Sequence, residues 1–241
     1  MSTILELKNA SISFGGIKAV QNVSFKMEKG EILGLIGPNG SGKSTCVNLI
    51  TGVYQLDDGE IYFKENLIPR NLKVHQRAQM GMARTFQTPK PYSNMTVYDN
   101  VLATALLRYS FEDAHKKTKD ILELTELISI SHMMSGKLPI EKRKWLDLAR
   151  AMATDAELIM MDEVVAGLNT QEMLNSLELV KRINTEGVSV LFIEHVMKAV
   201  VSLCDRCVVL NTGQLLAEGE PREVLNRKEV VEAYIGEGVK E

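Results

Sequence analysis

Cysteine is scarce in this chain: Cys46, Cys204 and Cys207 are the only three in 241 residues. An odd, low count predicts no disulfide framework and fits a reducing compartment. Cys204 and Cys207 form a lone C-x-x-C. With no second pair the zinc and redox readings are weak, and two buried thiols near a helix end and a strand start are expected. No run approaches about 18 apolar residues, so no segment is expected to span a bilayer. The opening MSTILELKNA lacks the basic-then-apolar layout of a secretory signal. Positive charge is not in excess. Lys and Arg number 28 against 31 Asp and Glu, a formal net charge of −3, which removes the broad basic field expected of a nucleic-acid binder. Internal repeats, low-complexity segments and flexible linkers are absent as well. What remains is ordinary globular composition, 45% hydrophobic and 24% charged, enough for one large domain or a core with a subdomain.

The apolar residues are well ordered along the chain. Residues 4–14 and 20–28 alternate apolar and polar, as half-buried strands do. EILGLIG at 31–37 is a compact apolar strand, followed by a helix over 43–52 that Gly52 stops, and a strand over 59–67. From about residue 96 to 131 the spacing turns helical. Strands at 156–162, 188–194 and 207–211 then alternate with helices at 170–184 and 196–203, which predicts parallel βαβ units. The chain is thus α/β: antiparallel at its start, with a helical insert of about sixty residues in its middle.

LPIEKRKWLDLARA, residues 138–151, holds the single Trp145 and four basic residues, Lys142, Arg143, Lys144 and Arg150. It reads as a helix from Lys142 on, with Trp145, Leu146 and Ala149 at helical spacing and Pro139 just before it. Two readings stand. Either the helix carries a solvated basic face, or its N-terminus is built to meet something.

After the strand at 31–37 comes GPNGSGKST, residues 37–45. It fits G-x-x-x-x-G-K-[ST], and its flanks, strand before and helix after, are the ones that motif requires. The glycines let backbone N–H groups turn inward around phosphates, and the following helix adds its positive end. Gly37, Asn39, Gly40, Gly42, Lys43, Ser44 and Thr45 are the candidate nucleotide contacts. Lys43 would reach the β- and γ-phosphates and Ser44 would hold Mg²⁺. No N-K-x-D guanine reader is present. LIMMDE, residues 158–163, is an apolar strand ending in two acids. Asp162 at the strand end is placed to bind Mg²⁺, and Glu163 beside it to polarise an attacking water.

The order of Phe14, GPNGSGKST, RTFQ at 84–87, the LARAMA helix, LIMMDE, AGLN at 166–169 and IEH at 193–195 resembles an ABC-type ATPase, the nucleotide-binding subunit of an ABC transporter. The match covers nearly the whole chain. EHVMKAV, SLCDRCVVLNTGQLLAEGEP and the tail VVEAYIGEG look most like the ATPases of branched-chain amino-acid importers. The resemblance assigns Phe14 to adenine stacking and Gln87 to the metal shell and γ-phosphate sensing. It assigns His195 to the switch histidine on the γ-phosphate. Asn169 stands where the family carries an aspartate in the loop that crosses to the partner subunit. His75, His115 and His132 read as surface residues.

The resemblance also answers the question posed by residues 138–151. The segment aligns with the family signature L-S-G-G-Q, whose serine hydroxyl and glycine N–H meet the γ-phosphate held by the opposite subunit. Leu138, Pro139, Ile140, Glu141 and Lys142 depart from it at four of five positions.

The implied fold is a P-loop ABC-type ATPase with an antiparallel β subdomain and a helical subdomain. It forms one domain over 1–241: a nucleotide-binding core at 1–84 and 151–220, a helical subdomain at 85–150, and a tail at 221–241. The implied cofactors are ATP and Mg²⁺. The implied partners are a second ATPase subunit and integral membrane permease subunits, at the cytoplasmic face of the inner membrane, without nucleic acid; the departures at 138–142, rather than the resemblance, point to a heterodimer with a subunit that carries an intact signature. Two alternatives are an ATP-binding but poorly hydrolysing subunit and an export-type ATPase such as those for lipopolysaccharide. An ABC ATPase acting outside transport would bring tandem cassettes or long coiled-coil insertions, and this chain has neither.

Overall fold

The computed structural model describes residues 2–235. Two sheets share the first part of the chain. Strands β1 (Thr3–Phe14), β2 (Ile17–Glu28), β4 (Asp58–Phe63) and β5 (Asn66–Leu67) form an antiparallel sheet in the order β2-β1-β4-β5. The second sheet takes β3 (Ile32–Ile36), β6 (Met82–Arg84), β7 (Leu158–Asp162), β8 (Ser189–Ile193), β9 (Arg206–Asn211) and β10 (Gln214–Gly219), in the order β10-β9-β3-β8-β7-β6. All its pairs are parallel except β10 against β9.

Burial on both faces explains why the central strands read as unbroken apolar runs. Alternate residues face different cores. Ile32, Ile159, Met161, Val190, Phe192 and Val209 join a cluster shared with the helices. Leu33, Leu35, Met160, Leu191, Ile193 and Val208 join a second cluster with the antiparallel sheet and with helix α1 (Lys43–Thr51). The first sheet is tied to the second where the Gln21 N–H donates to the Gly213 carbonyl at 2.7 Å.

The remaining helices are α2 (Val74–Gln79), α3 (Val97–Ala105), α4 (Phe111–Leu124), α5 (Ile140–Met152), α6 (Thr170–Thr185), α7 (Met197–Leu203), α8 (Pro221–Leu225) and α9 (Lys228–Ile235). Among the described residues, no helix is long and apolar enough to cross a membrane. Residues 236–241, the end of the expected tail, lie outside the described residues.

Several expectations need correction. The strand expected over 59–67 is a hairpin, because Lys64 and Glu65 adopt φ of 50° and 62° and turn the chain. The helical stretch 96–131 is two helices and a 3₁₀ turn, with α4 restarted by Ser110, whose hydroxyl accepts from the Asp113 N–H. Helix α5 begins at Ile140 rather than Lys142; Pro139, at φ −63° and ψ 161°, is its N-cap residue. The short elements α2 and β6 were not expected. His115 is half-buried, not on the surface: its Nδ1 lies 2.7 Å from the Tyr98 hydroxyl, and Phe111 packs edge-on to its ring. The cysteines are free and buried as expected, and burial pushes the Cys46 thiol up to about 12.

Candidate functional site

The glycine-rich loop runs from the end of β3 into α1, and two of its glycines are sterically required. A Cβ on Gly37, at φ 148°, would lie 2.1 Å from the Leu210 carbonyl oxygen. A Cβ on Gly42, at φ 103°, would lie 2.6 Å from the Ala19 carbonyl oxygen. The N-terminus of α1 has no side-chain cap and no acidic residue in its first turn, so its N–H groups and dipole favour an anion. Asn39, Gly40 and Ser44 are exposed and Thr45 is partly so. The Lys43 ammonium crosses the loop, donating to the carbonyls of Gly37 at 2.7 Å and Pro38 at 2.8 Å. Cradle, helix end and lysine together suit a polyphosphate. Phe14 closes β1 as an exposed ring, edge-on to Tyr54 with centroids 5.0 Å apart.

Beside the loop, β7 delivers Asp162 at its end, in the same layer as β3. The Arg84 guanidinium on β6 forks between two partners: Nη2 donates to Asp162 Oδ2 and Nη1 to Asn48 Oδ1 on α1, each at 2.7 Å. Glu163 follows with φ 50°, a left-handed residue that turns the chain sharply, its N–H donating to the Ile193 carbonyl at 2.9 Å. Two side chains from distant segments then converge on its carboxylate. The Gln87 amide donates to Oε2 at 2.5 Å, and His195 Nδ1 stands 3.6 Å from Oε1. Glutamine, carboxylate and imidazole thus form one constellation, drawn from the segments after β6, β7 and β8.

At 138–142 the geometry is less open than a solvated basic face. Leu138 is buried, and Pro139 and Ile140 are exposed. The Glu141 side chain is only 12% exposed, with Oε2 at 3.8 Å from the Lys142 ammonium and Oε1 making no hydrogen bond. Lys142 lies 3.3 Å from the centroid of the Trp145 ring, a cation–π contact. Trp145 is itself buried and donates to the Ser176 hydroxyl at 3.0 Å. Lys144 is buried too, donating to the carbonyls of Glu163 at 3.1 Å and Ala166 at 2.6 Å. Asn169 caps α6: its Oδ1 accepts from the Glu172 N–H at 3.0 Å, and Glu172 returns an acceptor to the Asn169 N–H at 2.9 Å.

The family described as ABC transporter matches residues 20–166. A probable branched-chain amino acid transport ATP-binding protein, LivG of Archaeoglobus fulgidus, is 36% identical, over 97% of this chain and 95% of its own length. The chain belongs to the ABC transporter family. The high-affinity branched-chain amino acid transport ATP-binding protein BraF of Pseudomonas aeruginosa is 35% identical, with 97% of this chain and 98% of BraF covered. Among solved structures, an ATP-binding cassette of an ABC transporter in its ADP conformation superposes with a TM-score of 0.89. It shares 33% identity, with 98% of this chain and all of that one covered. A nucleotide-free ATP-binding cassette from an ABC transporter gives 0.88 at 33% identity, covering 97% and 99%. The α/β fold with antiparallel and helical parts is therefore that of an ABC ATPase, and this chain is an ATP-binding ATPase subunit of that class. Subunits of this class pair with one another and act with membrane permeases.

Three residues of this ABC ATPase escaped the sequence reading. Arg84 belongs to the RTFQ segment, but nothing in its spacing points to Asp162, 78 residues away. Lys144 looked like one of four solvated cations. Glu194 looked like a neighbour of His195. It is fully buried, its Oε1 accepts from the Val165 N–H at 2.9 Å, and burial raises its carboxyl above the usual range.

Proposed function

We propose that this chain is the ATP-hydrolysing subunit of an ABC importer for branched-chain or related amino acids, with water attacking the γ-phosphate beside Glu163. The observation that carries the reading is the convergence of Gln87 and His195 on the Glu163 carboxylate. In this reading Phe14 stacks on adenine. The loop residues Gly37, Asn39, Gly40, Gly42, Ser44 and Thr45 hold the phosphates, and Lys43 leaves its carbonyl partners for the β/γ-oxygens. Glu163 orients and polarises the water, while Gln87 and His195 fix its two oxygens and His195 meets the γ-phosphate. Ser44, Asp162 and Gln87 offer hard oxygen ligands and would hold Mg²⁺ with the nucleotide. Among the described residues, no cluster of three His, Cys, Asp or Glu side chains forms a metal cage by itself. When bound, the ion would supply positive charge to the phosphate oxygens.

Residues 1–84 and 151–220 serve as the nucleotide-binding core, 85–150 as the helical subdomain that meets the permease with the segment after Gln87, and 221–241 as a tail. The protein sits peripherally on the cytoplasmic face of the inner membrane. The names of the relatives, branched-chain amino acid transport ATP-binding proteins, support an amino-acid substrate over lipopolysaccharide.

A second reading rests on residues 138–142. Pro139 has no hydroxyl, and the Glu141 carboxylate stays folded in beside Lys142. We therefore propose a heterodimer. This chain hydrolyses ATP over its own loop with an intact signature from its partner, and the site completed by its own residues 138–142 holds ATP weakly or without turnover. Affinity purification of the tagged chain from solubilised membranes, then ATP-driven leucine uptake by vesicles containing the recovered complex, tests both. Recovery of a permease and a second ATPase subunit, with uptake, supports the proposal. A complex of this ATPase alone, or transport that ignores leucine, overturns it.

A further inference from the structure

The turn after Glu163 is gripped by two buried charges. From α5, the Lys144 ammonium donates to the carbonyls at both ends of the turn, Glu163 and Ala166. From the end of β8, the Glu194 carboxylate accepts from the Val165 N–H in its middle. Both side chains are buried, and burial disfavours their charge. The negative charges of Glu194 and Glu163 favour the ammonium in return. A helix that needed only to pack would carry methionine or leucine at 144. The arrangement instead joins the first turns of α5, the backbone of Glu163 and the residue preceding His195.

We infer that Lys144 and Glu194 are positioning residues of the hydrolysis site: together they clamp the 163–166 turn, hold the Glu163 carboxylate where Gln87 and His195 meet it, and tie it to the N-terminal part of α5. The inference rests on the reading of Glu163 as the residue that polarises water. Its consequence is directional. The start of α5 is the segment proposed to face the partner's nucleotide. A shift there is carried by Lys144 to this chain's own Glu163, so that one composite site informs the other.

The test uses the assembled complex of this chain with its partner subunits, carrying either the parent chain or one of three variants, Lys144→Arg, Lys144→Met and Lys144→Met with Glu194→Leu. The double variant removes both buried charges together, so neither is left buried without the other's opposite charge. Three quantities are read: ATP affinity, single-turnover hydrolysis with the complex in excess over ATP, and hydrogen exchange at the Val165 amide. Lys144→Met and the double variant are expected to keep ATP affinity within about twofold and to hydrolyse about tenfold slower or worse. In both variants the Val165 amide exchanges about tenfold faster. Lys144→Arg, which keeps its donors, recovers most of the rate. If the double variant melts with the parent and hydrolyses at the parental rate, the pair is structural only and the inference fails. It fails equally if Val165 exchange is unchanged in both. Glu163→Gln separates the two claims: hydrolysis persisting in that variant overturns the reading of Glu163, while the exchange measurement still decides whether Lys144 and Glu194 hold the turn.

Discussion

Replacing Arg84 by methionine removes the cation that holds Asp162. The Arg84 and Asp162 side chains are 14% and 12% exposed, and their charged atoms meet at 2.7 Å. An exposed pair of this kind contributes about 0–1 kcal/mol, whereas stripping one partner from a fully buried pair costs about 3–5 kcal/mol. The intermediate burial here places the loss at about 2–3 kcal/mol. For a domain of this size that corresponds to a melting point lower by about 5–10 °C. Part of the loss comes from the second prong of the fork, since Asn48 on α1 also loses its donor. The assay is a double-mutant cycle by urea unfolding with Arg84→Met, Asp162→Asn and both. Asp162→Asn removes the charge that Arg84 compensates, so the two losses should overlap, with a coupling of about 2 kcal/mol. Strict additivity, or a single-variant loss below about 0.5 kcal/mol, would refute the claim that Arg84 holds this carboxylate.

Gly37→Ala should abolish ATP binding and lower the melting point, because the new Cβ would stand 2.1 Å from the Leu210 carbonyl oxygen; calorimetric titration showing parental affinity contradicts this. Lys43→Ala removes a charge-assisted donor facing the phosphates and should weaken ATP binding by about 2–3 kcal/mol in the same titration. Restoring the signature with Pro139→Ser, Ile140→Gly and Glu141→Gly together should raise the ATPase activity of the assembled complex several-fold. No change in an otherwise active complex would show residues 138–142 to be a harmless variant.

The sequence exposed those parts of the site whose residues are contiguous. The glycine-rich loop lies between a strand and a helix, and both its steric need for glycine and its lysine are local properties. Asp162 and Glu163 were visible because a strand buried on both faces leaves an unbroken apolar run that ends in acids. Gln87 and His195 needed the family resemblance, since glutamine at one strand end and histidine at another announce no partner. Lys144 and Glu194 were missed for a physical reason: helical spacing records which face a residue occupies, not that backbone carbonyls from a turn nineteen residues away wait on it. The hairpin at Lys64 and Glu65 was missed because neither residue is the Asn or Gly that usually marks a left-handed turn. Pro139 was read as a residue outside the helix, and it is the N-cap of α5.

The most direct test of the central claim is Glu163→Gln in this chain within its assembled complex, assayed side by side for ATP binding and for single-turnover hydrolysis. The side chain keeps its size and loses the charge that Gln87 and His195 converge upon. The account predicts ATP affinity within about twofold of the parent and hydrolysis slowed by about a hundredfold or more. Parental hydrolysis by the variant would show that Glu163 is not the residue that activates water.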